Sequence, residues 1–341
     1  MAYIQRLNVD SFLTVIGKDT PAVSEPIKVL CDDNNSYILK TDQIFDETSK
    51  TYLHFDCTFV NEFLSYCIAK HIGVPTPEAA IANVDKDFID ANLFLKFQGR
   101  FSEGDHFASF FLEKCEGNLM EDYLTLHTEG KSHLKKPWNK FFGDLGNPED
   151  IPLIICFDLL IANFDRFRHS SNLLVQNDDN RRIFVIDQGH AFNGPYWNTS
   201  KASIRQMQGL PSHEYITGYT NLHFLHNQQS RAQGIFNLSG FGDIFRALDN
   251  YIDVSDINNH SFIEPIKRIK TIDAKLITDW LNDIPDSWYV NKPVQVDFYR
   301  SFLLTQIQFM PGIIQHMANT SAFGSRTGGI LSWNAQSTGT Q

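Results

Sequence analysis

Over the first forty residues, short β-branched and apolar runs alternate with turn-forming residues. FLTVIG from Phe12 to Gly17, IKVL from Ile27 to Leu30 and YILK from Tyr37 to Lys40 predict strands. The polar stretch Asp32 to Asn35 predicts the turn of a hairpin between the last two. The period of two in YILK sets Tyr37 and Leu39 on one face and Ile38 and Lys40 on the other. From Thr58 to Ile72 the apolar positions Val60, Leu64, Cys67, Ile68 and Ile72 change to helical spacing, and Gly73, Pro75 and Pro77 end the helix. Glu62 falls in its first turns. Strands are predicted again at Ala79 to Asn83, Ala91 to Phe97 and Ala108 to Lys114, followed by the break Glu116-Gly117-Asn118. Beyond that break the pattern is helical, at Leu119 to Leu126, Ile151 to Asn163, Phe241 to Tyr251, Ile272 to Leu281 and Val294 to Met317. One hairpin interrupts it: Leu173 to Gln176 and Ile183 to Ile186, joined by Asn177-Asp178-Asp179-Asn180.

This order predicts an α+β fold in two lobes, a small β-rich lobe over residues 1–115 and a larger, mainly helical lobe over residues 116–318. A chain of 341 residues is long enough for two packed cores. From Asn319 the sequence is rich in Gly, Ser, Thr and Asn, so residues 319–341 are expected to form a flexible tail. The formal net charge of −11 argues against a nucleic-acid surface, because duplex binding relies on Lys and Arg neutralising phosphates. The densest basic run, Lys267 to Lys270, falls in a helical pattern and is expected on a solvated face. No apolar run reaches the roughly 20 residues of a membrane span, and the first residues lack the pattern of a secretion signal, so a cytoplasmic protein is expected. The five cysteines show no C-x-x-C spacing, which argues against a zinc or disulfide framework.

Several polar residues stand where phosphoryl-transfer chemistry would need them. Such chemistry needs a cation on the nucleotide phosphates, oxygen ligands for magnesium and an acceptor for a hydroxyl proton. Lys40 ends a strand, and Glu62 on the next helix is placed to hold it by an ion pair. At one mouth of the inserted hairpin stands N-F-D-R-F-R-H-S-S-N, Asn163 to Asn172, and at the other I-D-Q-G, with Asp187 two positions before Gly189. Asp187 follows the apolar run Ile183 to Ile186, where an uncompensated carboxylate would be costly. Each residue also has a purely structural reading: Lys40 as a solvated edge residue, Glu62 as a helix-dipole partner, Asp165 as a turn former. Asp158, within an apolar helix, reads as a satisfied structural carboxylate. His169 and His190 flank the same loops and, with Asp165 and Asp187, form a rival metal-site reading of the hydrolase type, though without a recognised ligand spacing.

The ordered set YILK, NEFLSYCIAKHIGVPTPEAAI, DLLIANFDRFRHSSNLLV and FVIDQGHAF resembles the HipA-like kinases, relatives of protein and phosphoinositide kinases, over about Ser24 to Phe192. The resemblance implies a protein-kinase-like fold using ATP and Mg2+ and phosphorylating a Ser or Thr hydroxyl of a protein, with autophosphorylation as a further expectation. It implies that Lys40 contacts the phosphates, that Glu62 orients Lys40, that Asp165 accepts the hydroxyl proton and that Asp187 binds magnesium. Glu113, Lys114 and Cys115 would lie against the adenine and Ser24 in the phosphate-covering loop; His169, set against the rival metal reading, is expected as a loop residue near the phosphates. Relatives place a magnesium-binding asparagine five residues after the catalytic aspartate, where this chain has Ser170. Asn172 is the favoured second ligand, because an amide oxygen suits magnesium better than a hydroxyl. The covering loop lacks G-x-G-x-x-G, which together with Ser170 keeps a nucleotide-binding pseudokinase scaffold as an alternative. A small-molecule or lipid kinase is another. The protein substrate is not legible, because acceptor choice is expected to lie in surface loops such as Gly194 to Gly218 and Gln228 to Gly240, which carry no motif; an antitoxin-like partner, as some relatives have, is an expectation of the resemblance alone.

Overall fold

The structure, a computed structural model, describes residues 4–16, 25–46, 48–116, 138–164, 166, 172–226 and 242–334; for residues 199–200, 223–226 and 242–243 it describes the backbone alone. The first lobe is a closed five-stranded barrel. Its strands are β1 (Gln5–Val15), β2 (Ile27–Cys31), β3 (Ser36–Leu39), β6 (Ala79–Val84) and β7 (Gly104–Phe110), in the order β1-β2-β3-β7-β6. All neighbours are antiparallel except β1 and β6, whose parallel pairing closes the ring and leaves no exposed edge. Leu7, Val9, Val29, Tyr37, Leu39, Ala80, Ala82 and Ala108 fill the interior. Tyr37 and Leu39 point inward while Ile38 faces outward, as the period of two requires. A second hairpin, β4 (Gln43–Asp46) and β5 (Thr51–His54), lies outside the barrel. The sequence pattern did not predict it, because β5 is exposed along its whole length and so carries no alternation.

Helix α1 (Thr58–Ile72) is buried on almost every side, and its apolar residues belong to the large core of the second lobe. It is thus a wedge between the lobes. Gly73 ends it in the left-handed conformation with φ +86°, its N–H returning to Ala69 O, which a Cβ would strain. Two short helices follow β6, α2 (Lys86–Ala91) and α3 (Leu93–Gln98), where a strand was expected at Ala91 to Phe97. The helical state is set by its ends: Asp85 accepts from Phe88 N at 2.7 Å, and Gly99 closes α3 with φ +62°. The next strand runs Gly104–Phe110 and not Ala108 to Lys114, so the chain leaves the sheet where the sequence predicted its middle.

The second lobe contains α4 (Trp138–Phe141), α5 (Ile151–Leu160), the hairpin β8 (Leu173–Asn177) and β9 (Arg181–Val185), and the helices α6 (Thr199–Met207), α7 (Ser212–His226), α8 (Gly242–Leu248), α9 (Ile263–Ile269), α10 (Ala274–Asp283) and α11 (Lys292–Asn319). Every residue of α5 is buried, matching its nearly unbroken apolar sequence. Helix α11 packs across α5, α7 and α10. The stretch Gly194 to Gly218, expected as a surface loop, is largely helical. The tail is also corrected. Residues 320–334 fold back onto the core, where Ala322, Phe323 and Leu331 are buried and Phe323 meets Phe262 at a ring separation of 5.0 Å. The helix expected at Leu119 to Leu126, residues 335–341 of the expected tail and the loop Gln228 to Gly240 lie outside the described residues. Among the described residues no helix is long and apolar enough to cross a membrane, and all five cysteines are free.

Candidate active site

Lys40 is the first residue beyond β3. Its backbone stays tied to the sheet through Lys40 N to Phe107 O at 2.9 Å, while its side chain continues the outward face of Ile38. The ammonium lies 2.9 Å from Asp187 Oδ1 and 3.5 Å from Glu62 Oε1. Glu62 Oε1 also accepts from Gly189 N at 3.1 Å, so one carboxylate links α1, the strand lysine and the residue two beyond Asp187. The Glu62 side chain is 2 % exposed and Lys40 12 %, but Asp187 is 40 % exposed, so Asp187 is the member of the trio open to an incoming ligand.

Burial opposes the charge on each of the three, and their mutual contacts decide the outcome. Burial alone lowers the Lys40 pKa, but Asp187 and Glu62 outweigh it, and the ammonium titrates above its ordinary value. Burial raises the Glu62 carboxyl above the usual range; Lys40 pulls it back and Asp187 pushes it further up. Burial acts the same way on Asp187, yet the charge and hydrogen bond of Lys40 prevail and hold it below the usual range. Asp187 itself adopts φ +60°, a left-handed conformation that an aspartate tolerates better than most residues.

The trio opens into a cleft of about 600 Å3 between the barrel and the β8–β9 hairpin. Ile16, Pro26 and Ile38 line it from the barrel side, and Leu173, Leu174 and Ile186 from the hairpin side. Glu113, Lys114 and Cys115 line the connection between the lobes. That connection is fastened to β8: Gln176 Nε2 donates to Glu113 O at 3.1 Å, Asn177 N to Lys114 O at 2.9 Å and Glu116 N to Val175 O at 2.8 Å. Apolar walls facing each other suit a flat base, and an ammonium beside an ionised carboxylate suits phosphate oxygens and a hard cation. The residues present therefore fit a magnesium nucleotide.

Behind the cleft lies a support that sequence reasoning missed. Arg166 is completely buried; its Nε donates to both oxygens of Asp158 at 3.1 Å, and its NH1 donates to Asn172 O at 2.6 Å and Ile186 O at 2.5 Å. It thereby joins the two ends of the hairpin immediately before Asp187. Burial pushes the Asp158 carboxyl up to about 6 against the pull of Arg166. An apolar helix containing a lone aspartate was the available signal, and Asp158 is the structural carboxylate it predicted; the partner eight residues later carries no helical or strand spacing that would reveal it.

The structure brings Lys40, Glu62 and Asp187 together, with Glu113, Lys114 and Cys115 along the same cleft. Lys114 turns its ammonium to Asp178. Asn172 is buried at the hairpin mouth, where Ile186 N donates to its carbonyl at 3.2 Å. Asp165, Ser24, His169 and Ser170 lie outside the described residues. For the rival metal reading, His190 stacks edgewise on Phe55 at 5.6 Å, and among the described residues no group of three or more His, Cys, Asp or Glu side chains gathers to hold a metal ion.

The fold is α+β, a small β-rich lobe above a larger helical one, with the cleft between them. No protein-family model matches the chain, and no curated protein matches it by sequence. Among solved structures it is similar to the proinflammatory kinase CtkA of Helicobacter pylori, at 13 % identity over 90 % of this chain and 96 % of that one, with a TM-score of 0.46. It is also similar to the MAP kinase LmaMPK10 of Leishmania major, at 12 % identity over 92 % and 82 %, with a TM-score of 0.23. Likenesses this loose carry no functional weight.

Proposed function

We propose that the protein is an ATP- and magnesium-dependent kinase, related to the HipA-like type, that phosphorylates a Ser or Thr hydroxyl of a protein, itself included. The observation that carries this reading is the convergence of Lys40, Glu62 and Asp187 beside an apolar cleft between two lobes. In this reading the apolar walls hold the adenine, and Lys40, oriented by Glu62, meets the phosphates. Asp187 and Asn172 would hold magnesium, which neutralises phosphate charge when bound. Asp165 accepts the proton of the attacking hydroxyl as its oxygen bonds to the γ-phosphorus and the bond from that phosphorus to the leaving ADP oxygen breaks. The cation and the carboxylate are already in place, so little reorganisation is needed when charge develops.

The test is labelled ATP with magnesium, wild type against Asp165→Ala and Asp187→Ala, followed by mass spectrometry of the modified sites. Both variants are expected to lose transfer, Asp165→Ala while still binding nucleotide and Asp187→Ala while binding magnesium nucleotide more weakly. Wild-type protein that modifies neither itself nor any lysate protein would sink the proposal. A nucleotide-binding scaffold, favoured by Ser170 at the usual asparagine position, would instead show a nucleotide-dependent rise in melting temperature without turnover.

A further inference from the structure

After Asp187 the chain makes a left-handed coil: Phe192, Asn193 and Gly194 have φ of +54°, +67° and +108°. The carbonyls of Gly189, Ala191, Phe192 and Gly194 belong to no strand or helix ladder and turn toward a common surface, where buried acceptors need donors. Two side chains from elsewhere occupy that surface. Asn61, on α1 directly before Glu62, is completely buried and shares its amide N–H groups among Gly189 O at 2.8 Å, Ala191 O at 2.9 Å and Gly194 O at 3.2 Å. Its Oδ1 accepts from the buried Tyr299 OH at 2.9 Å, which fixes which way the amide points. Lys201, on α6 and 1 % exposed, donates from Nζ to Phe192 O at 2.9 Å and Gly194 O at 2.8 Å.

Lys201 has an unusual environment for a lysine. Among the described residues no carboxylate touches it as an ion pair; besides the two carbonyls it faces the rings of Tyr299 at 5.6 Å and Phe298 at 5.9 Å, while the Cys57 thiol and the Asp56 charge favour its charged form without outweighing burial. A buried ammonium without a counter-ion in contact is costly, and carbonyls that need a donor offset part of that cost. Lys201 behaves here as a tethered cation in a carbonyl cup. Through Asn61 and Glu62, adjacent on α1, the same helix that orients Lys40 also holds the coil leaving Asp187.

We propose that Asn61 and Lys201 are positioning residues for Asp187: by holding the carbonyls of residues 189–194 they fix the path of the chain beyond Asp187, and so the direction in which its carboxylate enters the cleft. This rests on the kinase reading in that Asp187 is taken to meet magnesium nucleotide.

The test uses the full chain and the variants Lys201→Met, Lys201→Arg and Tyr299→Phe. Hydrogen–deuterium exchange of residues 186–197 in the absence of ligand is measured beside the affinity for ADP with and without magnesium. In Lys201→Met, exchange in this segment is expected to rise about tenfold while the barrel strands stay unchanged, as for a local opening. The magnesium-dependent gain in ADP affinity is expected to fall roughly tenfold, as for other partners that orient a metal ligand, with magnesium-free ADP affinity kept within about twofold. Lys201→Arg restores both in part. A merely structural lysine would lower the melting temperature and leave the magnesium dependence intact, and that result, or unchanged exchange in 186–197, overturns the proposal. If Lys201→Met does not fold, Tyr299→Phe, which frees the Asn61 amide, decides by the same two readouts. Wild-type protein that binds no magnesium ADP overturns the kinase reading first, and is recognised as such because the failure precedes any substitution.

Discussion

Replacing Lys40 by methionine tests the electrostatics of the cleft directly. The substitution keeps the length of the side chain and removes the cation that holds down the buried Glu62 carboxyl. At 3.5 Å and an effective dielectric of about 20, the Lys40–Glu62 attraction is on the order of 5 kcal/mol, and removing one member of a buried pair typically costs about 3–5 kcal/mol. With an unfolding entropy of about 2.1 cal/mol/K per residue, that cost lowers the melting temperature by roughly 4–7 °C. The loss depends on pH with a definite sign. Glu62 already titrates above its unfolded value, and without Lys40 it titrates higher still, so the folded variant binds more protons than its unfolded chain over a window that begins near pH 4.5 and extends further up than in the wild type. Stability contributed in that window falls as pH rises, so the gap between variant and wild type is widest near pH 8 and narrows toward pH 5. Thermal unfolding of Lys40→Met at both pH values measures this, and adding Glu62→Gln to Lys40→Met is expected to recover most of the loss. An equal loss at both pH values, or a double variant no more stable than Lys40→Met, would refute the account.

Three other outcomes follow from the same physics. Arg166→Met is expected to cost about 3–5 kcal/mol by leaving Asp158 buried without its partner, and the further change Asp158→Leu to restore much of it, read by urea unfolding. Phe323→Ala is expected to cost about 3–5 kcal/mol, which a free tail would not show in a denaturant midpoint. Burial lowers the Lys201 pKa to about 8, below its unfolded value of 10.5, so the unfolded chain binds more protons between those values. Wild-type stability relative to Lys201→Met should therefore rise by about 2–3 kcal/mol from pH 8 to pH 10, measured by denaturant titration at each pH.

Much of the cleft was legible before any coordinates. Alternation in YILK placed Lys40 opposite the barrel interior, helical spacing placed Glu62 on α1, and two short apolar runs placed Asp187 at the end of a hairpin strand. These are consequences of local period, which one segment expresses whatever surrounds it. The misread elements lack that property. Residues Ala91 to Phe97 are apolar enough for a strand but fall across the end of α2, which Asp85 caps at its start, and most of α3, which Gly99 closes. The Gly- and Ser-rich stretch after Asn319 has little apolar content, yet its few apolar side chains, Phe323 and Leu331 among them, find room against α11 and the core.

What the chain determined alone is therefore its local order: the strands up to Leu39, the helix from Thr58, an inserted hairpin, and a strand-end lysine, a helical glutamate and a post-hairpin aspartate in that sequence. Only the tertiary structure decided that Lys40, Glu62 and Asp187, separated by up to 147 positions, share one network, that Arg166 ties the two ends of the hairpin together, and that Asn61 and Lys201 fill the carbonyl surface beyond Asp187. Those contacts join segments whose separation in sequence carries no period. They arise because buried charges and unpaired carbonyls must find partners wherever packing brings them.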